Sequence, residues 1–127
     1  MGLDITCECG AISFRAGSYS SFHWWRVTLA KALDYPIVTD ERGDEDYKVC
    51  FGLPMAIFLL HSDSSGELLP SECELLLKDL LRNKKRISEY AIAHLDSSDA
   101  TYFLQKLQEW EKAFQHSVEK RCILIFY

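Results

Sequence analysis

Polar and apolar residues alternate at the start of the chain. Leu3, Ile5, Cys7 and Cys9 are separated by Asp4, Thr6 and Glu8, the period of a strand with one buried face. Gly10 ends the alternation, and Ala11 to Arg15, with Ile12 and Phe14 facing inward, is spaced to return as the second strand of a hairpin. Gly17-Ser18-Tyr19-Ser20-Ser21 is a turn rich in capping side chains, and the spacing after it predicts a helix from Phe22 to Leu33. The apolar stripe of that helix is Phe22, Trp25, Leu29, Ala32 and Leu33, which leaves Trp24 and Val27 off the buried side.

From Asp34 to Lys48 the pattern is lost. Pro36, Gly43 and five acidic residues between Asp40 and Asp46 describe an exposed loop without regular structure. Met55 to Leu60 is a short apolar run that reads as a buried strand, with a short helix as the competing reading. His61-Ser62-Asp63-Ser64-Ser65-Gly66-Glu67 follows as a polar knot. Pro70 and Ser71-Glu72-Cys73-Glu74 then have the form of a capping box, with a helix expected from Glu72 to Arg82. Helical spacing resumes in Arg86 to Leu95, Asp96-Ser97-Ser98-Asp99 interrupts it, and a long helix is expected over Ala100 to Glu119. Cys122 to Tyr127 is a continuous apolar run of strand formers, expected to pair in the sheet near the first strand. Together these predict one α+β domain over residues 1–127, with three main helices on one face of a small mixed sheet of about four strands.

Charge narrows the range of partners. Fourteen basic against nineteen acidic residues leave a net charge of -5, and phosphate backbones are held by clustered Lys and Arg, so nucleic acid is not expected as a partner. The one basic cluster, Arg82 to Arg86, reads as the solvated end of a helix. Apolar runs of about eight residues are far short of the ~20 that span a bilayer, so no membrane partner is expected. Five cysteines without a secretory leader point to reduced thiols and a cytoplasmic setting. Residues 1–6 also fit the spacing of an N-myristoylation signal, but read better as strand.

The polar knot concentrates hydrogen-bonding side chains at the end of a rigid element, which is where folds commonly present a site. Set against a calcium loop, Gly66 aligns with the loop glycine, His61 with the first ligand, Asp63 with the third and Glu72 with the last. A histidine in the first position and Pro70 in the wrapping half spoil the match. His61, Asp63 and Glu67 are too few for a transition-metal site, and Cys7-x-Cys9 reads as core packing. No metal and no cofactor are therefore expected. His61 as base and Asp63 as its orienter are the candidate catalytic residues for a small hydrolase.

The segment Gly17 to Phe22 before a helix carrying Arg26, the Met-Gly-Leu-Asp-Ile start and His61-Ser62-Asp63-x-x-Gly66-Glu67 resemble a group of small uncharacterised bacterial and phage proteins. That group has a Ser-Tyr-Ser-Gly-Phe turn and a His-Ser-Asp-Cys-Asp-Gly-Glu loop. This chain departs from it at Ser21, where the group has Gly, and at Ser64-Ser65, where the group has Cys-Asp. The resemblance implies that Tyr19, Phe22, Arg26, His61, Asp63, Gly66 and Glu67 share one surface. For a phage-encoded member, neutralising a host factor is the natural role.

The sequence thus leads to a small binding module whose pocket lies between the 18–26 turn-helix and the 61–67 loop. Its expected ligand is a small polar molecule or a protein segment. Arg26 and His23 would supply donors, Asp63, Glu67 and His61 the facing polar groups, and Tyr19 and Trp24 the apolar walls. The alternatives are a small hydrolase or metal-dependent enzyme using His61 and Asp63, and a homodimer subunit that uses Trp24 and Val27 as its interface.

Overall fold

A computed structural model describes residues 2–47 and 49–127 of the chain. Met1 and Lys48, which the sequence reading assigns to the chain start and the acidic loop, lie outside the described residues. The chain opens with a hairpin of β1 (Gly2–Cys7) and β2 (Ser13–Ser18), bulged between Leu3 and Asp4. Helix α1 (Tyr19–Ala32) follows at once, with Ser18 Oγ accepting the Ser21 N–H at 3.1 Å as its N-cap. Asp34 ends it in the left-handed region, where the Asp34 and Tyr35 N–H groups reach back to the carbonyls of Lys31 and Ala30.

The acidic segment is not irregular throughout. β3 (Val38–Thr39) and β4 (Glu45–Asp46) make a small hairpin, and the carboxylate of Asp40 closes its turn by accepting the N–H groups of Arg42 and Asp44. The expected strand at residues 55–60 is instead a single helical turn, α2 (Ala56–Leu59). Ala56 and Leu59 are good helix formers, and Met55, Phe58 and Leu59 are all buried. The knot then supplies a strand that periodicity did not reveal, β5 (Gly66–Leu68).

Two long helices complete the layer: α3 (Pro70–His94) and α4 (Ser97–Lys120). The two helical stretches expected around residues 72–82 and 86–95 are one continuous helix, and the short link to α4 makes the pair antiparallel. The start of α3 is also earlier than the capping box indicates. Leu69 is the N-cap, Pro70 occupies the first turn, and Glu72 reaches back to accept the Leu69 N–H at 2.9 Å. β6 (Leu124–Phe126) closes the chain.

The main sheet has the order β2-β1-β6-β5 and is antiparallel throughout, where a mixed sheet was expected. A turn joins β1 to β2 and the antiparallel α3–α4 pair joins β5 to β6, each returning the chain in the opposite sense. The last strand does pair with the first, and reciprocal bonds between Asp4 and Tyr127 continue that ladder.

Between sheet and helices lies an aromatic core around Trp110. Its ring meets Phe58 edge-on at 4.7 Å and packs with Phe14, Phe22, Phe114 and Phe126. Each such side chain taken out of water contributes about 1.5–3 kcal/mol, so this cluster is the main adhesive of the domain. Helix α1 is buried on more than the predicted stripe, because Arg26, Val27, Thr28 and Ala30 are covered as well. Among the described residues no helix is long and apolar enough to cross a membrane.

Candidate functional site

The two stretches singled out by the sequence meet at Arg26. Its Nη1 donates to the carbonyls of Phe58 and Leu59, each at 3.1 Å, and of His61 at 2.7 Å. These groups stand at the C-terminal end of α2, where carbonyls lack partners within the helix and the dipole is negative. The guanidinium lies over the Phe22 ring at 4.3 Å and near the Tyr47 ring at 5.5 Å, and only 4% of Arg26 is exposed. Burial lowers its pKa, opposed by Tyr47, Asp63 and Asp46. Arg26 was expected to meet a ligand; its Nη1 is instead taken up in joining α1 to the 56–61 segment, while its buried Nε has no hydrogen-bond partner among the described residues.

The remaining knot residues are also held by the fold. Each ring nitrogen of His61 faces a main-chain carbonyl, Nδ1 at 2.9 Å from Ser62 and Nε2 at 3.0 Å from Glu67, while the ring packs on Phe126 at 4.0 Å. Neither nitrogen is directed to Asp63, the orienter a catalytic base would need, and both are turned to main-chain carbonyls of the knot. Glu67 is exposed on β5 and its contact with His61 is through the backbone. Asp63 is half-buried, close enough to influence Arg26 and Tyr47. Glu72, the last position of the rejected calcium alignment, caps α3. Tyr19 begins α1 and packs against the core.

An open cleft of about 490 Å³ lies on the other side of α1. One wall is Ser20, His23, Trp24 and Val27 of α1; the other is the β3–β4 hairpin, through Asp40, Arg42, Asp44, Glu45 and Asp46. The hairpin is fastened there by His23 Nε2 donating to the Glu45 carbonyl at 3.0 Å and by Lys31 pairing with the Glu45 carboxylate at 2.7 Å. Arg42 lies within 3.7 Å of Asp40 and Asp44. Trp24 is half-buried, resting near Tyr102 and Phe103 of α4, and Val27 is buried, so the apolar surface that a Trp24/Val27 dimer would use is largely covered within one chain. The His23 ring lies 5.6 Å from the ring of Tyr47, which is also 5.5 Å from the Arg26 guanidinium.

A third grouping joins residues that sequence reasoning kept apart. The side-chain donor atoms of Cys7, Cys9, His116 and Cys122 all lie within 4.8 Å of one another. Cys7 and Cys122 are buried, but Cys9 is exposed, so the reading of Cys7-x-Cys9 as core packing holds for one partner only. His116 and Cys122 were missed as companions of this pair. The signal was present in the expected pairing of the last strand with the first, whose register carries Cys122 toward Cys9. Compared with known protein families, with curated proteins and with solved structures, the chain matches none of them.

Proposed function

We propose that this protein is a small binding module that receives a positively charged group in the cleft between α1 and the β3–β4 hairpin. The observation that carries the reading is the acidic hairpin fastened over the helix beside Trp24, leaving a space of about 490 Å³. Five carboxylates between Asp40 and Asp46 outweigh Arg42 and Lys31, and an indole face adjoining them attracts an ammonium or guanidinium group. The volume is within the range of small-ligand clefts and also admits a single basic side chain. Of the residues singled out by sequence, His23 and Trp24 line this space. Tyr19, Arg26, His61, Asp63 and Glu67 do not line it.

Tryptophan fluorescence tests this directly. Trp25 and Trp110 are 2% and 1% exposed, so a ligand in the cleft reports through Trp24. Titration with arginine amide and with a short arginine-containing peptide separates a free cation from a protein segment. Saturable quenching by either, lost in Trp24→Phe and weakened in Asp44→Asn, is the expected result. A response to neither, or one that persists in both variants, overturns the reading.

A further inference from the structure

We propose that Cys7, Cys9, His116 and Cys122 form a tetrahedral centre for Zn²⁺, which fastens the end of β1, the last turns of α4 and the approach to β6. The ligand types are the first argument. Three thiolates and one imidazole suit a borderline-soft ion without geometric demands of its own, and are poor partners for Ca²⁺ or Mg²⁺. All four positions come from the chain, the arrangement of structural rather than catalytic zinc sites.

The backbone places these side chains by rule. The ladder between β1 and β6 pairs Ile5 with Phe126, Thr6 with Ile125 and Cys7 with Leu124, and the Glu8 N–H continues it to the Ile123 carbonyl at 2.9 Å. Cys9 stands in the turn that follows, closed by the Gly10 N–H on the Cys7 carbonyl at 2.9 Å, and that turn brings its Sγ to 3.0 Å from Cys7 Sγ. His116 sits on the C-terminal part of α4, and Arg121 in the left-handed region (φ 54°) lets the Cys122 N–H return to the Ser117 carbonyl, which folds Cys122 back beside the helix. Sheet register and helix cap thus bring the four groups to one point independently.

Distances agree with a metal centre. Zn–S bonds of about 2.3 Å and Zn–N bonds of about 2.0–2.1 Å in a tetrahedron separate ligand atoms by about 3.5–3.8 Å. The cluster brackets that range, with Cys7 Sγ to Cys9 Sγ and Cys9 Sγ to His116 Nε2 each at 3.0 Å and all separations within 4.8 Å. The turn after Cys7 adds a supporting donor. Gly10, at φ 76°, bends the chain so that the Ile12 N–H points to Cys7 Sγ at 3.3 Å, a contact that orients a metal-binding sulfur. Cys9 and His116, the less buried pair, form the side open to an incoming ion.

The experiment uses the untagged full chain, stripped with a chelator and kept reduced. Titration with Co²⁺ is expected to saturate at one equivalent, with the ligand-field and thiolate-to-cobalt bands of a tetrahedral site, and Zn²⁺ is expected to displace the cobalt. Loss of an outer-shell partner typically weakens metal binding by about 10–100-fold, so removing a ligand in Cys9→Ser or His116→Ala is expected to exceed about 100-fold. Both variants leave the buried Cys7 and Cys122 in place, and retained far-UV circular dichroism verifies their fold. Zn²⁺ is further expected to raise the melting temperature of the parent and not that of Cys9→Ser. Failure to take up one equivalent of either metal, parental affinity in either variant, or an equal loss in Cys50→Ser, which lies outside the cluster, overturns the proposal.

Discussion

Arg26 on α1 donates to the main-chain carbonyl of His61 at 2.7 Å, across 35 positions of sequence. Through the same nitrogen it also serves Phe58 and Leu59, so one buried cation completes the end of a helix only four residues long. A single turn has little stability of its own. Here a neighbouring helix supplies the missing donor, and the knot that follows inherits its position.

Replacing Arg26 with Met keeps much of the apolar contact with Phe22 and Tyr47 but takes the charged donor from the carbonyls of Leu59 and His61, while that of Phe58 keeps the His61 N–H at 3.2 Å. Unfolding in urea is expected to show a loss of about 3 kcal/mol, as for a broken buried charge-assisted network. A loss under about 1 kcal/mol would mean that water replaces the guanidinium without difficulty.

Gly66 has a φ of 112° and begins β5, and a Cβ there would stand 3.0 Å from His61 Cε1. Gly66→Ala therefore meets both backbone strain and a ring held on two sides. Gly43 has a φ of 85° with open space around it, so Gly43→Ala meets strain alone. Expected losses are about 2 kcal/mol or more and about 1 kcal/mol respectively, read from denaturation midpoints. Equal losses would remove His61 packing from the account of β5.

Burial pushes the Tyr47 phenol from 10.0 up to about 12; Arg26 opposes this, while Asp46, Asp63 and Cys50 add to it. The folded state therefore holds this proton more tightly than the unfolded chain. The stability it confers is present below pH 10 and is lost as pH rises toward 12. Tyrosinate absorbance is expected to show Tyr47 titrating after most of the six tyrosines, with Tyr35, also raised by burial, among the late ones. In Tyr47→Phe the decline of stability above pH 10 is expected to be shallower. An unchanged alkaline profile would contradict the burial of that phenol.

Asp79 on α3 is 6% exposed, and its Oδ2 has no hydrogen-bond partner. Burial raises its pKa above 3.8, and Arg82 only partly opposes the shift. Its contribution to stability is therefore best at low pH, where the carboxyl is neutral in both states, and worsens as pH rises through the folded value. Asp79→Asn is expected to stabilise the protein by about 1 kcal/mol at pH 7, with the gain shrinking below pH 4. Calorimetry at the two pH values checks the sign, and a destabilised variant at pH 7 would show that the charge has a partner worth keeping.

Much of the domain is legible in the chain. Alternation in residues 3–9 announces β1, the Ser18 cap announces α1, and the Asp96 cap before α4 accepts the Asp99 N–H as its type and place suggest. The pairing of the last strand with the first follows from the apolar character of residues 122–127. These features depend on side chains within a few positions of one another, where periodicity and capping act. The site was less legible. Trp24 and His23 were marked for a pocket, but its opposite wall is the acidic hairpin and not the histidine loop.

By itself, then, the sequence determined α1, α4 and the first half of α3, the opening hairpin and the union of β1 with the last strand, because each is encoded by local pattern or by an apolar run that must be covered. Tertiary structure alone decided that residues 56–59 coil, that Gly66 to Leu68 extend along β6, that Arg26 is a buried cap, and that Cys9 meets His116 across 107 positions. Those outcomes rest on hydrogen bonds and contacts between distant residues, whose energy exists only once the layers have packed.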